Sequence, residues 1–593
     1  MQNAETVLDV LRERGRRSLP LDELYRQLFN PQLYLLAYGR IYSNQGAMTP
    51  GPDAETADGM ALGKIDRIID AVRHERYRFM PVKRVYIPKK DGKQRPLGLP
   101  SWSDKLVGEV VRLLLEAYYE PQFSDHSHGY RPGRGCHTAL RDVALSWTGT
   151  TWFIEGDISR CFDRLDHQVM LATLGEKIHD ARLLRLIGQM LRAGYLEDWV
   201  WNATLSGTPQ GGVLSPSLSN VYLDRLDKFV ETVLLPGYNR GVRGRNPEYK
   251  RVQNALARAR RSGDQTAVRA LRKQLRSLPS QDPHDPGYRR LRYVRYADDI
   301  LLGFTGPKVD AEEIKQRLAQ FLQDDLKLEL SEAKTLITHA RTDAATFLGY
   351  EITVQHANHV IAAGRRVANG GIRLRVPRDV IKAKCSRYMA RGKPERRPEL
   401  MNDEDYAIIS RYGSEYRGVV QYYLLAADVW RLDRLHWVMV TSLLKTLAGK
   451  YDSSVSKMAR KYAATIQTPH GPHKCMQVSV ERGGGRKPLV ATFGGIPLRR
   501  QKNAVLRDRE PVPATARRKE LVSRLLAGRC EICGQPDEVQ VHQIRKLADL
   551  EKPGAPDRPE WITLMAKRRR KTIVVCGTCH ANIHHGRPNA AAA

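Results

Sequence analysis

RLRYVRYADDILLGF, residues 290–304, is the stretch that decides how this chain reads. Val294 and Tyr296 share one face of a strand, while Ile300, Leu302 and Phe304 share one face of another, the period of two that β-structure imposes. Between them Ala297-Asp298-Asp299 makes a tight turn, so a hairpin with two adjacent carboxylates at its tip is predicted. Adjacent carboxylates repel, and holding both there is costly unless a cation sits between them. Mg²⁺ is a hard ion that prefers oxygen ligands, and two such ions ~4 Å apart clamp the attacking and leaving oxygens of a phosphoryl transfer. Taken alone, a DD pair in a turn is more often a solvated turn.

Two further segments change that weighting. TWFIEGDISRCFDRLDH (151–167) runs an apolar strand into Asp157 and then turns toward a helix, placing a third carboxylate at a strand end. SGTPQGGVLSPSLSNVYLDRLD (206–227) is a Gly/Pro loop opening a helix, and glycine there permits close approach of a nucleic-acid backbone.

Together YADD (296–299), GTPQGGVLSP (207–216) and GDISRCFDRLDH (156–167) resemble the palm motifs of group II intron-encoded reverse transcriptases. The resemblance covers nearly the whole chain: NQGAMTPGPD (44–53) is similar to the family's N-terminal motif, and RVYIPKKDGKQRPLGLPSWSDKLV (84–107) with HGYRPGRGCHTAL (128–140) to its fingers. LSEAKTLI (330–337) and ATFLGYEI (345–352) resemble the last palm blocks, and RYGSEYRGVVQYYLLAADVWRLDRLHWVMVTSLLKTLAGKY (411–451) the maturase thumb. The implied fold is an α+β multidomain protein: a right-hand polymerase of fingers, palm and thumb, then a C-terminal zinc-containing ββα-metal (HNH) endonuclease. By resemblance Asp157, Asp298 and Asp299 hold two Mg²⁺ ions, and Phe162 stacks beneath the incoming sugar and rejects a 2′-hydroxyl. Lys89 and Arg95 grip the triphosphate of the dNTP, where arginine offers a bidentate fork. Gln210 lines the nascent base pair and Lys334 sits near nucleotide or primer; a structural role competes for both.

At the C-terminus Cys530-x-x-Cys533 and Cys576-x-x-Cys579 form knuckle pairs suited to a tetrahedral Zn²⁺. The segment between them is longer than a simple ribbon needs. It contains VHQIRKLADL (541–550), and the module continues through RRRKTIVVC (568–576) into CHANIHHG (579–586), with His580 and His584 four apart on an expected helix. The HNH resemblance implies that His542, His580 and His584 bind one Mg²⁺ opposite the scissile phosphate, His542 being catalytic. Such sites usually continue with a second histidine as general base, but here Gln543 follows His542. An amide cannot accept a proton near neutral pH, so slow nicking, or another base such as His585, is expected. A zinc-binding module without catalysis is the alternative.

Composition fits a nucleic-acid enzyme. The 593 residues carry 97 Lys+Arg against 65 Asp+Glu, a formal charge of +32, which predicts a polyanionic partner. Hydrophobic residues at 41% exclude a disordered chain, and no apolar run approaches the ~18 residues of a membrane helix. The opening MQNAETVLDVLRERGRRSLP has no apolar h-region, so no secretory signal is expected. Four of the eight cysteines are scattered and four form two CxxC pairs, a usage that fits a reducing cytosol and one metal site; a bacterial cytoplasm is expected, with an organellar origin as the alternative. The expected order is reverse transcriptase fingers and palm over 1–365, thumb over 366–465, a DNA-binding linker over 466–528, and the endonuclease over 529–588. A basic insertion interrupts the first unit at about 238–290. Residues 466–528 read as an irregular, basic linker with a small folded patch. On the thumb, Leu435, Val438, Met439, Ser442, Leu443, Thr446 and Leu447 make an amphipathic stripe. Tyr416, Arg417, Tyr422, Tyr423, Lys445, Lys450, Lys457, Arg460 and Lys461 interleave aromatics with cations, a composition suited to folded RNA and equally to a basic helical thumb.

The implied function is reverse transcription of the intron RNA, with assistance in its splicing and nicking of target DNA to prime synthesis. The rivals are a splicing maturase whose endonuclease is weak or inactive, and a free-standing polymerase without an intron.

Overall fold

The computed structural model describes residues 3–587, apart from 45, 89–91, 93, 199, 205, 208–211, 283–284, 358–359, 363–364, 367–368, 483–485, 507–519, 547–558 and 569. Lys89 and Gln210 therefore lie outside the described residues, as do the whole basic REPVPATARR stretch and the end of VHQIRKLADL.

The expected hairpin is present. Strands Arg290–Tyr296 and Asp299–Thr305 pair antiparallel, and the sheet continues through Trp152–Asp157 to Ile337–His339. Period-two alternation sorts its side chains into two cores. Leu291, Tyr293, Ile300, Leu302, Phe304 and Ile154 face the core shared with the N-terminal helices. Val294, Leu301 and Phe153 face the core shared with the thumb. The sheet is thus buried on both sides, which explains why its strands are so apolar.

Fingers strands Val82–Pro88 and Gln94–Leu99 pair antiparallel and extend onto Tyr195–Glu197 and Val200–Asn202. The basic insertion folds into two helices, Pro247–Arg261 and Gln265–Ser277. They break at Ser262-Gly263-Asp264, where Gly263 has φ +73° and the Asp264 carboxylate caps the second helix by accepting from Ala267 N. The pair closes a small core of Leu256, Ala259 and Val268. It leaves Arg258, Arg260, Arg261, Arg269, Arg272, Lys273 and Arg276 exposed.

The thumb stripe is buried residue for residue on helix Asp433–Lys450. Composition left the aromatics beside it open between RNA and an ordinary thumb, and the structure packs them into the fold. Tyr416 and Tyr423 are core residues, and the hydroxyls of Tyr422 and Tyr423 donate to Leu348 O and Gly349 O. The cations divide likewise: Lys445 donates to Pro394 O and Lys450 to Asp405, while Arg417, Lys457, Arg460 and Lys461 are exposed.

The folded patch expected in the linker is a sheet over residues 463–494. Strands Ala463–Thr468, Gly471–Arg482 and Arg486–Gly494 form an antiparallel sheet that packs on helix Asp405–Tyr422. Phe493 is buried against Tyr412, Tyr416 and His436, and Gly413 lets the backbone at Thr492 approach the helix where any Cβ would collide.

The C-terminal module has strands Val539–Gln543 and Thr572–Cys576 followed by helix Gly577–His585. It does not stand apart. Strand Met60–Ala61, from the N-terminal part of the chain, pairs with Val539–Gln543 as a third strand. Leu521, Val522, Leu525, Val539, Val541 and Val574 join the polymerase's own core.

Candidate functional site

Antiparallel register sets the palm carboxylates together: Asp157 lies directly opposite Asp299, with Asp298 one residue before it in the turn. Ala297 takes φ +56° to make that turn. Its carbonyl accepts from Arg295 Nη1 at 2.9 Å, and Arg295 is fully buried against fully buried Asp227 through bonds of 2.8 Å and 2.6 Å. Tyr293 OH donates to the same carboxylate. The 124–131 loop supplies the other brace, since His128 N donates to Arg295 O and a Cβ on Gly129 would run into Ala297 N.

Electrostatics at the tip is that of crowded anions. Burial first, then repulsion from Asp298 and Asp157, pushes the Asp299 carboxyl up to about 6. Asp298 is raised for the same leading reason and by Asp157, with Arg95 and Lys334 pulling the other way. Both effects favour a bound cation, and a lysine already occupies part of that role: Lys334 Nζ donates to Asp157 Oδ2 at 2.8 Å. It is brought there because Ser331 N donates to Asp157 O, docking the 330–337 segment on the strand end.

Phe162 sits on the short helix Cys161–Arg164, partly buried and edge-on to Tyr130 with ring centres 6.2 Å apart. The glycine-rich loop starts from this turn: Gly207, at φ +88°, has Phe162 O and Asp163 O within 2.7 Å of where a Cβ would be. Arg95 is exposed on fingers strand Gln94–Leu99, opposite Ile87.

The four C-terminal cysteines converge with their sulfur atoms within 4.8 Å of one another. Cys533 N and Cys579 N point at Cys530 Sγ and Cys576 Sγ, both at 3.5 Å, the knuckle arrangement of a structural metal site. Burial raises the Cys530 thiol, but the N–H groups of Cys533, Cys576 and Ile532 outweigh it and bring it to about 7.

A second cluster joins His542, His580 and His584 with a residue that sequence reasoning missed, Asp58. Asp58 stands 484 positions before His542 in the chain, and no local motif marks it. His580 and His584 present one face of helix Gly577–His585, and His542 faces them from the strand. Gln543, beside it, is turned away from any water-activating position: its buried amide donates to Tyr42 O at 2.9 Å. His585 is exposed near the helix end.

Family models match in the same order along the chain. A reverse transcriptase (RNA-dependent DNA polymerase) model covers residues 87–256, a type II intron maturase model 377–479, and an AI2M/AI1M-like HNH endonuclease model 530–580. The chain is 37% identical to group II intron-encoded protein LtrA of Lactococcus lactis subsp. cremoris over 95% of both proteins. It is 32% identical to a 91 kDa protein in the cob intron of Schizosaccharomyces pombe, over 98% of this chain and 72% of that one. With the putative COX1/OXI3 intron 2 protein of Saccharomyces cerevisiae it shares 30% identity over 94% of this chain and 65% of that one. With those three models matched in order and the identity to LtrA spanning almost the whole of both proteins, the chain belongs to the group II intron-encoded proteins that join a reverse transcriptase, an intron maturase and an HNH endonuclease.

Proposed function

We propose that this RNA-directed DNA polymerase copies the intron RNA from Asp157, Asp298 and Asp299, which hold two Mg²⁺ ions. The observation that carries this reading is the register that sets Asp157 against Asp299, next to Asp298, with both turn carboxyls raised by burial first and then by the neighbouring carboxylates. When bound, the ions neutralise the charge that develops on the transferred phosphoryl group. Lys334 holds Asp157 in place, Arg95 and Lys89 take the triphosphate, Gln210 lines the nascent pair, and Phe162 screens the sugar. Cys530, Cys533, Cys576 and Cys579 hold a structural Zn²⁺.

The exposed cations of helices Pro247–Arg261 and Gln265–Ser277, with Arg417, Lys457, Arg460 and Lys461, make the face for the intron RNA. Target DNA is the substrate of the endonuclease, in which His542, His580 and His584 hold the metal. The bacterial relative favours a bacterial cytoplasm. The test is reconstitution with intron RNA, a DNA duplex carrying the insertion site, and dNTPs. The wild type should yield cDNA joined to the nicked strand, His542→Ala should yield cDNA only from an added primer, and cDNA at the nick from His542→Ala would refute the endonuclease assignment.

A further inference from the structure

Three imidazoles that meet around a partly buried carboxylate from another part of the chain call for an explanation. Asp58 Oδ1 lies 3.2 Å from His542 Nδ1 and 3.4 Å from His580 Nε2, and Asp58 Oδ2 lies 2.8 Å from His584 Nε2. His580 Nε2 and His584 Nε2 are 3.3 Å apart. Bonds of 2.0–2.1 Å to nitrogen and oxygen put the corners of a tetrahedron roughly 3.3 Å apart; one ligand atom from each of the four residues lies within 4.8 Å of the others, and the contacts to Asp58 and between His580 and His584 fall near that spacing. His542 supports the same reading: its side chain is 7% exposed, and neither ring nitrogen has a hydrogen-bond partner, Nδ1 being near Asp58 but off bonding geometry. Such a buried, unsatisfied imidazole is costly unless something occupies the centre it faces.

Asp58 is also built into place. Gln543 N donates to its Oδ1 at 2.7 Å, and Gly59 N donates to Val541 O at 2.9 Å. Gly59 has φ +72°, a conformation that favours glycine, and the next two residues pair with the endonuclease strand. The carboxylate is therefore fixed by the backbone of the module whose histidines it meets.

We propose that Asp58 is the fourth ligand of the endonuclease metal, so that the nuclease centre is completed by the polymerase's N-terminal part. The proposal rests on the endonuclease reading above. Three imidazole nitrogens with one carboxylate oxygen suit a divalent first-row transition ion better than Mg²⁺, which prefers an all-oxygen octahedron. It follows that the module has a complete centre only when docked on the reverse transcriptase.

The test uses the full chain with Zn²⁺ in its cysteine site, titrated with Co²⁺ and followed by visible absorption, where a four-coordinate site is intense and an all-oxygen site weak. His542→Ala, Asp58→Ala and Asp58→His are compared with wild type, and amide exchange over 539–543 reads whether the module stays docked. Asp58→Ala is expected to lose roughly 10-fold or more in Co²⁺ affinity, at least what second-shell changes cost, and to lose strand nicking. Asp58→His should keep the ion with an altered spectrum, and primer extension should be unchanged in both. If His542→Ala loses Co²⁺ while Asp58→Ala binds it like wild type, the Asp58 assignment falls and the endonuclease site stands. If Asp58→Ala binds Co²⁺ more tightly or nicks faster, Asp58 covers the centre and does not complete it, which also overturns the proposal. Failure of Asp58→His to bind Co²⁺ while exchange over 539–543 stays native overturns it too. If His542→Ala itself leaves Co²⁺ binding intact, the endonuclease reading falls first.

Discussion

Arg295 sits between the two tyrosines of YVRYADD and touches no reacting atom, yet it holds the catalytic turn. Its guanidinium reaches Asp227, Asn220, Ser127 and the carbonyl of Ala297 from a fully buried position. Removing one partner of a buried ion pair leaves the other charge uncompensated, at a cost of about 3–5 kcal/mol. Arg295→Met is expected to lower unfolding stability by that order in urea titration and to depress nucleotide incorporation; stability equal to wild type would show that the pair is dispensable. Asp299 sets a pH limit. Its carboxyl, raised to about 6, is charged above that pH and protonated below it, and a proton competes with a cation for the same oxygens. The Mg²⁺ concentration needed for half-maximal polymerisation should therefore rise as pH falls through about 6, and added Mg²⁺ should move the fall to lower pH. An Mg²⁺ requirement identical a unit above and a unit below that value would contradict this. Phe162→Ala should raise ribonucleotide incorporation by opening space at the sugar, and unchanged dNTP/rNTP discrimination would remove Phe162 from that role.

At the scale of elements, the palm hairpin is placed by its neighbours as much as by its own pairing. The 124–131 loop lies so close that Gly129→Ala would force its Cβ into the Ala297 backbone. A displacement of ~1 Å at reacting groups costs as much as 10²-fold in rate. Gly129→Ala should thus slow single-nucleotide addition by up to about that factor while binding of template-primer persists, and an unchanged rate would show that the turn is not set by this contact. The palm strands and the helix Asp433–Lys450 were legible because their periodicity reports burial directly. The sheet over 463–494 was legible only as a small folded patch: Ala463–Thr468 buries no residue, and the glycine run before Arg486 reads as a break in structure. Tyr416 and Tyr423 show a different limit, since aromatic-rich composition does not say whether rings face RNA or a core. For Asp58 there was nothing to read. Its partners lie hundreds of residues away, and only the pairing of Met60–Ala61 with the endonuclease strand brings them together. Gln543 was legible as a departure from the usual histidine pair, but its bond to Tyr42 O, a docking contact, exists only in the folded chain.

Across the whole molecule, +32 charges are spread over a polymerase, a thumb and a docked nuclease. Binding to intron RNA should weaken roughly 10³-fold or more between 50 and 200 mM salt if several phosphates are engaged and counterions are released; a flat salt profile in filter binding would refute an electrostatic interface. The central claim concerns polymerisation, and one substitution separates it from RNA binding. Asp298 is proposed as a metal ligand and not as a phosphate contact, so Asp298→Ala should abolish dNTP incorporation on poly(rA)/oligo(dT) while intron RNA is bound as tightly as by wild type. Incorporation near the wild-type rate would contradict the assignment of the palm carboxylates.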